Sequence, residues 1–273
     1  MSNEIPLGKT TDYPTQYAPE LLFPVARQPK RDEIGVPENV DWYGADLWTA
    51  YEVSWLNVQG KPEVAIVEFE FAADSPNIVE SKSFKLYLNS FNQERFASQD
   101  ELIARLNHDL SKACGKPLEN LRCYSLDAYQ GLGFGQLNGQ LIDELEVTCD
   151  EYDYNPQLLK LKEPAVEVSE TLYTHLLKSN CLITSQPDWA TLVIEYTGPK
   201  IDAASLLQYV VSFRNHNEFH EQCVERIFQD LSQHCQPRQL LVQARYTRRG
   251  GLDINPWRSN FATQRPFMRL ARQ

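Results

Sequence analysis

A chain of 273 residues, 42% hydrophobic and 11% aromatic, carries enough apolar surface for one large core or two medium ones, which excludes disorder throughout. Its 26 lysines and arginines stand against 37 aspartates and glutamates, a net charge of -11 that repels a phosphate backbone and argues against direct nucleic-acid binding. No run approaches the roughly 18 apolar residues of a spanning helix, and Met1-Ser2-Asn3-Glu4 opens without the regions of a secretory leader, so a cytoplasmic chain with reduced cysteines and no membrane partner is expected.

Residues 1–45, rich in proline and polar side chains, predict an irregular lead-in, and residues 46–150 a first unit. Within it residues 64–71 alternate like a half-buried strand, and Tyr87-Leu88-Asn89-Ser90-Phe91 also reads as β-like. Ser98 and Glu101 have the spacing of a capping box, after which Leu102, Ile103, Leu106 and Leu110 recur at helical intervals up to Cys114-Gly115. A strand-like run over residues 118–126 follows. The acidic stretch Asp150-Glu151-Tyr152-Asp153-Tyr154-Asn155-Pro156 predicts a connector, residues 151–165, leading into a second unit, residues 166–273.

The second unit repeats the first. Thr191-Leu192-Val193-Ile194-Glu195-Tyr196 corresponds to the first strand, and Tyr209-Val210-Val211-Ser212-Phe213 matches Tyr87-Leu88-Asn89-Ser90-Phe91 at three of five positions. Val224, Ile227, Phe228, Leu231 and Cys235 space a helix in which Asp230-Leu231 and Cys235 answer Asp109-Leu110 and Cys114, and residues 239–247 form the closing strand. Strand, strand, helix, strand, given twice, predicts a duplicated α+β chain with mostly antiparallel sheets and helices on one face.

The copies differ where chemistry would sit. Aligned on Val67-Glu68-Phe69 and Ile194-Glu195-Tyr196, they place Cys181 opposite Ser54, Asp188 opposite Lys61, and Glu80-Ser81-Lys82 opposite Asp202-Ala203-Ala204. Complementary losses suggest one composite function shared between two halves, with drift in surface loops as the competing explanation. Of the cysteines at 114, 123, 149, 181, 223 and 235, none forms a CxxC pair, and His216, His220 and His234 follow no recognised ligand spacing with them, so no metal is expected. Without a Gly-x-Gly-x-x-Gly fingerprint a Rossmann domain is not supported. Arg245, Arg248, Arg249, Arg258, Arg265, Arg269 and Arg272 crowd the end of the chain, where a phosphate-bearing ligand would find counter-charge.

The run Glu80-Ser81-Lys82-Ser83-Phe84-Lys85-Leu86-Tyr87 resembles, at all eight positions, the signature of the 7-cyano-7-deazaguanine reductase (QueF) family. Cys181, Asp188 and the His220-Glu221 pair look like that family's nucleophile, proton donor and substrate-holding residues. The resemblance spans roughly residues 48–258 and points to the long, bimodular branch, whose fold is a tandem of tunnelling-fold (T-fold) units assembling as a homodimer. It implies reduction of the nitrile of 7-cyano-7-deazaguanine to an aminomethyl group, in queuosine biosynthesis, with two NADPH consumed in sequence.

Each implied role has a physical rationale and a plainer alternative. A thiolate at Cys181 would add to the weakly electrophilic nitrile carbon, giving a covalent thioimidate, whereas a lone cysteine is more often a small buried residue. Asp188, if burial beside Pro187 and Trp189 raised its pKa, would protonate the nitrile nitrogen; otherwise it is an ordinary loop aspartate. Glu221 would take two parallel hydrogen bonds from a guanine-like face, and His220 would bond the ring carbonyl or relay protons; the alternatives are a first-turn glutamate and a capping histidine. By resemblance Val79, Glu80 and Ser81 help hold substrate, Ser81 and Lys82 face the cofactor, Phe219 lies against the nicotinamide, and Arg249-Gly250 meets the phosphorylated ribose. The rival functions are a zinc-dependent, cyclohydrolase-like T-fold enzyme and a non-catalytic purine-binding protein.

Overall fold

The computed structural model describes residues 13–130 and 132–273, so the first part of the expected lead-in lies outside the described residues. In chain order the regular elements are β1 (Pro24–Ala26), α1 (Gln28–Glu33), β2 (Tyr43–Leu56), β3 (Pro62–Ala72), β4 (Asn77–Val79), α2 (Ser81–Asn89), α3 (Gln99–Cys114), β5 (Glu119–Tyr124), α4 (Leu126–Gln130), β6 (Gln140–Leu141), β7 (Glu167–Asn180), β8 (Pro187–Pro199), α5 (Ala203–Val211), α6 (His220–Cys235), β9 (Gln239–Tyr246) and β10 (Leu252–Ser259). The chain divides into two compact units that are discontinuous in sequence: residues 13–29, 46–134 and 248–254 form one, and residues 30–45, 135–247 and 255–273 the other.

In the first unit the strands run in the order β5-β3-β2, with β3 and β5 antiparallel, while β1 and β4 form a separate antiparallel pair. Trp48, Phe69 and Phe71 from the strands, Phe84 and Tyr87 from α2, and Leu102 and Leu106 from α3 close one apolar core. In the second unit the order is β10-β9-β8-β7-β6, antiparallel except for β6 against β7. Leu172, Leu192, Ile194 and Val242 from its strands meet Leu206, Tyr209 and Val210 of α5 and Val224, Ile227 and Leu231 of α6. Both units are therefore α+β with mostly antiparallel sheet.

Two β-like expectations are corrected: Tyr87 to Phe91 and Tyr209 to Phe213 belong to α2 and α5 and the turns that end them. A five-residue apolar run does not reveal its period, but the longer window does, because Phe84, Tyr87, Leu88 and Phe91 are all buried at i, i+3, i+4 and i+7, as are Leu206, Tyr209, Val210 and Phe213. Both helices start on an acidic cap. Glu80 accepts from the amides of Lys82 and Ser83 at 2.9 and 2.8 Å, and Asp202 accepts from that of Ser205 at 2.9 Å. The long strands β2 and β7 were not anticipated, so each unit runs strand, strand, helix, helix, strand.

The repeat extends beyond the halves read from sequence. Tyr87 donates to the buried Asp109 of α3 at 2.6 Å, as does Tyr17 from the lead-in, and the guanidinium of Arg105 lies 4.8 Å over the Tyr17 ring. In the second unit Tyr209 and Tyr154 donate to Asp230, and Arg226 lies 5.0 Å over Tyr154. The segments bearing the outer tyrosines match, Tyr17-Ala18-Pro19-Glu20-Leu21-Leu22 with Tyr154-Asn155-Pro156-Gln157-Leu158-Leu159. Lead-in and acidic connector thus carry equivalent packed turns that satisfy a buried carboxylate, whose burial without partners would cost several kcal/mol.

Candidate functional site

In the second unit β7 and β8 pair to their ends, with Ser179 opposite Asp188 and Asn180 opposite Pro187. The connection is closed by Cys181 N–H donating to Gln186 O at 2.8 Å and Ser185 N–H donating to Cys181 O at 3.0 Å. Continuing the ladder one step puts Cys181 across from Gln186 and makes it a diagonal neighbour of Asp188 on the same face. Both side chains are buried, at 3% and 5% exposure.

The N-terminus of α6 is pinned to the same place. Asn180 N–H donates to His216 O at 2.8 Å and Glu218 N–H donates to Asn180 O at 3.0 Å, forming a parallel bridge between Asn180 and Asn217. Phe219 then caps α6, and His220 and Glu221 occupy its first turn, Glu221 buried. His220 Nε2 lies 3.4 Å from Asp188 Oδ2, and its ring stacks on that of Tyr246 with centroids 3.6 Å apart and planes 5° from parallel. Cys181, Asp188, His220 and Glu221 are thereby gathered by two hydrogen-bonded turns of one unit.

Burial pushes the thiols of Cys223 and Cys235 up to about 12 and that of Cys123 to about 11, and it also raises Cys114 and Cys149. These five are poor nucleophiles at neutral pH. Among the described residues no three or more His, Cys, Asp or Glu side chains converge in a way that would hold a metal ion.

The remaining expected residues assemble within the first unit. Val79 ends β4, Glu80 caps α2, and Ser81 and Lys82 open the helix. Burial raises the carboxyl of Glu80, opposed by its bonds to the Lys82 and Ser83 amides and by the charges of Lys82 and Arg249. Arg249 and Leu252 exchange backbone hydrogen bonds of 2.9 and 3.2 Å around Gly250 and Gly251, whose φ values of 61° and 77° define a two-residue turn that only glycine adopts without strain. A Cβ at Gly250 would lie 3.5 Å from Lys85 Cδ, so the turn rests against α2. Beside it a cavity of about 320 Å³ is lined by Tyr51, Glu52, Lys85, Asn89, Gly250 and Gly251 among others. Lys85 is paired with Glu52 at 3.2 Å, and the Glu52 side chain covers Gly251, so the cations that suit a phosphorylated dinucleotide by their charge are Lys82, Arg248 and Arg249.

Several of the arginines that crowd this part of the sequence are engaged by other protein groups. Arg258 is fully buried and donates to Glu225 from Nε and Nη2 at 3.1 and 2.8 Å, a carboxylate shared with Arg31. Arg265 pairs with Glu195, Arg245 donates to Pro266 O, and Arg269 donates to Gln273 O. Only Arg248 and Arg249 are presented on the glycine turn, where Arg248 lies 4.2 Å over Tyr51. Sequence reading also missed Glu218, Tyr246 and Gln273, which touch the site residues or their supports and have no motif of their own.

Residues 13–120 match the family model described as nitrile reductase, 7-cyano-7-deazaguanine-reductase N-term, and residues 187–265 match that described as QueF-like protein. The chain is 57% identical over 259 residues to the NADPH-dependent 7-cyano-7-deazaguanine reductase of Dechloromonas aromatica, covering 94% of this chain and 91% of that one. It is 55% identical over 271 residues to the protein of the same name from Cupriavidus pinatubonensis, and 56% over 269 residues to that from Bordetella parapertussis, each alignment covering 98% of both chains. The chain therefore belongs to the NADPH-dependent 7-cyano-7-deazaguanine reductase (QueF) family.

Proposed function

We propose that this protein reduces the nitrile of 7-cyano-7-deazaguanine to the aminomethyl group, a four-electron reaction of queuosine biosynthesis. The observation that carries the reading is the convergence of a buried Cys181 with Asp188 and the His220-Glu221 turn, supported by near full-length identity to reductases of that name. NADPH supplies a hydride in each of two successive rounds.

The thiolate of Cys181 adds to the nitrile carbon, forming an S–C bond, and the nitrile nitrogen takes a proton from Asp188 to give the neutral thioimidate. After the first hydride reaches the thioimidate carbon the S–C bond breaks, Cys181 leaves as the thiolate and an imine remains for the second hydride; His220, in contact with Asp188, passes protons to that carboxylate and to the imine nitrogen. Glu221 holds the guanine-like face through paired N–H donors. Val79, Glu80 and Ser81 also hold substrate. Each Glu80 oxygen accepts one backbone amide and keeps a lone pair for substrate. Ser81, Lys82, Arg249 and Gly250 bind the cofactor's phosphates and ribose, and Phe219 lies against its nicotinamide.

The two units are a tandem of T-fold domains, the part within residues 46–150 carrying the signature and the part within residues 166–273 the cysteine. The chain assembles as a homodimer in the cytoplasm. Among the described residues no helix is long and apolar enough to cross a membrane.

Intact-mass measurement after mixing with the nitrile substrate and no NADPH tests the reading. A gain of one substrate mass is expected in the wild type and not in Cys181→Ala, which also loses turnover. A wild type without adduct overturns the mechanism, and stoichiometric zinc accompanied by hydrolytic activity would favour the cyclohydrolase-like alternative.

A further inference from the structure

Behind His220 and Asp188 stand two aromatic residues, and both are held by the segment 269–273. Tyr246, the stacking partner of His220, is fully buried at the end of β9. Its N–H donates to Asn255 Oδ1 at 2.9 Å, and its carbonyl accepts from Gln273 Nε2 at 3.1 Å. The same Nε2 donates to Asn255 Oδ1 at 2.8 Å. Gln273 Oε1 accepts from Leu270 N–H at 3.0 Å, and Gln273 N–H donates to Leu270 O at 3.1 Å. Both amide protons and the oxygen of the Gln273 side chain are thus engaged, and this pattern fixes which end is nitrogen.

Arg272, next in the segment, lays its guanidinium 5.1 Å over the ring of Trp189 and donates from Nη1 to His175 O at 2.8 Å. Trp189 follows Asp188 in β8. The two residues therefore bear on the two partners of one contact: Gln273 on the ring that backs His220, Arg272 on the neighbour of Asp188. A ring stacked face to face keeps freedom chiefly in its own plane, so displacement of Tyr246 is transmitted directly to His220 Nε2.

We propose that Gln273 and Arg272 are positioning residues for the reaction, setting the plane of His220 through Tyr246 and the place of Asp188 through Trp189. The inference rests on the roles assigned above to His220 and Asp188. Neither residue touches substrate in this assignment.

Gln273→Glu keeps the shape and replaces a double donor by a carboxylate oxygen facing Tyr246 O and Asn255 Oδ1, while Arg272→Ala removes an exposed side chain and leaves the fold intact. Expected for Gln273→Glu is a fall in kcat of about tenfold from misplacement of a catalytic group. KM for the nitrile substrate should stay within about twofold, because ground-state contacts are untouched. The pH profile of kcat should move, since the paired groups that set its limbs no longer meet in the same geometry. Arg272→Ala is expected to move the profile in the same direction by less, and decides the matter if the glutamate variant does not fold. A purely structural role would lower Tm and the active fraction while leaving the profile of the folded protein superimposable on wild type. That outcome, with wild type active, overturns this proposal alone; a wild type that neither forms the adduct nor turns over overturns the functional reading and this inference with it.

Discussion

Between Asn180 and His220 lies Glu218, a carboxylate at 1% exposure that takes three hydrogen bonds of 2.6–3.2 Å from Arg226 and one of 2.9 Å shared with His216 Nε2. Burial pushes its carboxyl up, but the bonds from His216 and Arg226 and their charges more than reverse this, and the group sits below the usual glutamate range. A depressed folded-state value means that the stabilisation is complete above the ordinary glutamate pKa and is lost as pH falls through the folded one. Glu218→Gln leaves Arg226 buried beside a neutral partner, so a loss of about 3 kcal/mol at neutral pH is expected. Urea midpoints of the two proteins, stepped down from pH 7 to well below the ordinary glutamate range, should converge as pH falls through the folded-state value. A gap constant across that range would show that the carboxylate charge is not what holds the turn. Glu218 was not legible in the sequence because its partners lie on both sides of α6's start, and no spacing rule links a glutamate ahead of the N-cap to an arginine eight residues on.

At the level of elements, the helix starts and stops were partly written in the chain. Ser98 caps α3, with its hydroxyl accepting from Glu101 N–H at 3.3 Å, and Gly115 ends it in the left-handed region at φ 82°. A Cβ at Gly115 would stand 2.5 Å from Cγ of Pro76, a ring atom with no rotamer to escape into. Gly115→Ala should therefore cost about 2–3 kcal/mol from backbone strain and overlap together. Thermal unfolding checks this, and a Tm within a degree of wild type would contradict the packing described. α2 and α5 escaped notice because Tyr87-Leu88-Asn89-Ser90-Phe91 and its counterpart are too short to separate a strand from a helix; the buried i, i+3, i+4, i+7 sets emerge only over eight residues or more. Glu80 and Asp202, each directly preceding its helix, were the available signal.

For the molecule as a whole, a net charge of -11 repels a polyphosphate dinucleotide at long range, so capture depends on the local cations of the signature helix and the glycine turn. Arg249→Ala is expected to raise KM for NADPH about tenfold at low salt with kcat changed by less than about twofold, as loss of a ground-state ionic contact requires. The difference should narrow as ionic strength rises. An unchanged KM would remove Arg249 from the cofactor's surroundings. Of the other arginines crowded in that part of the sequence, Arg258 and Arg265 are committed to Glu225 and Glu195.

The sequence by itself determined the duplication, the signature at Glu80 to Tyr87, and Cys181, Asp188 and His220-Glu221 as the residues to watch, because a repeat leaves matched residues at a fixed offset and a family signature is local. It also held the Tyr17 and Tyr154 repeat, hidden because the connector changes the offset there. Only tertiary structure decided that His220 faces Asp188 and stacks on Tyr246, that most tail arginines are bound to carboxylates or carbonyls, and that Gln273 supports the ring behind His220. Hydrogen-bond partners far apart in the chain are chosen by which backbone and side-chain groups folding leaves buried and unsatisfied, and no local pattern records that choice.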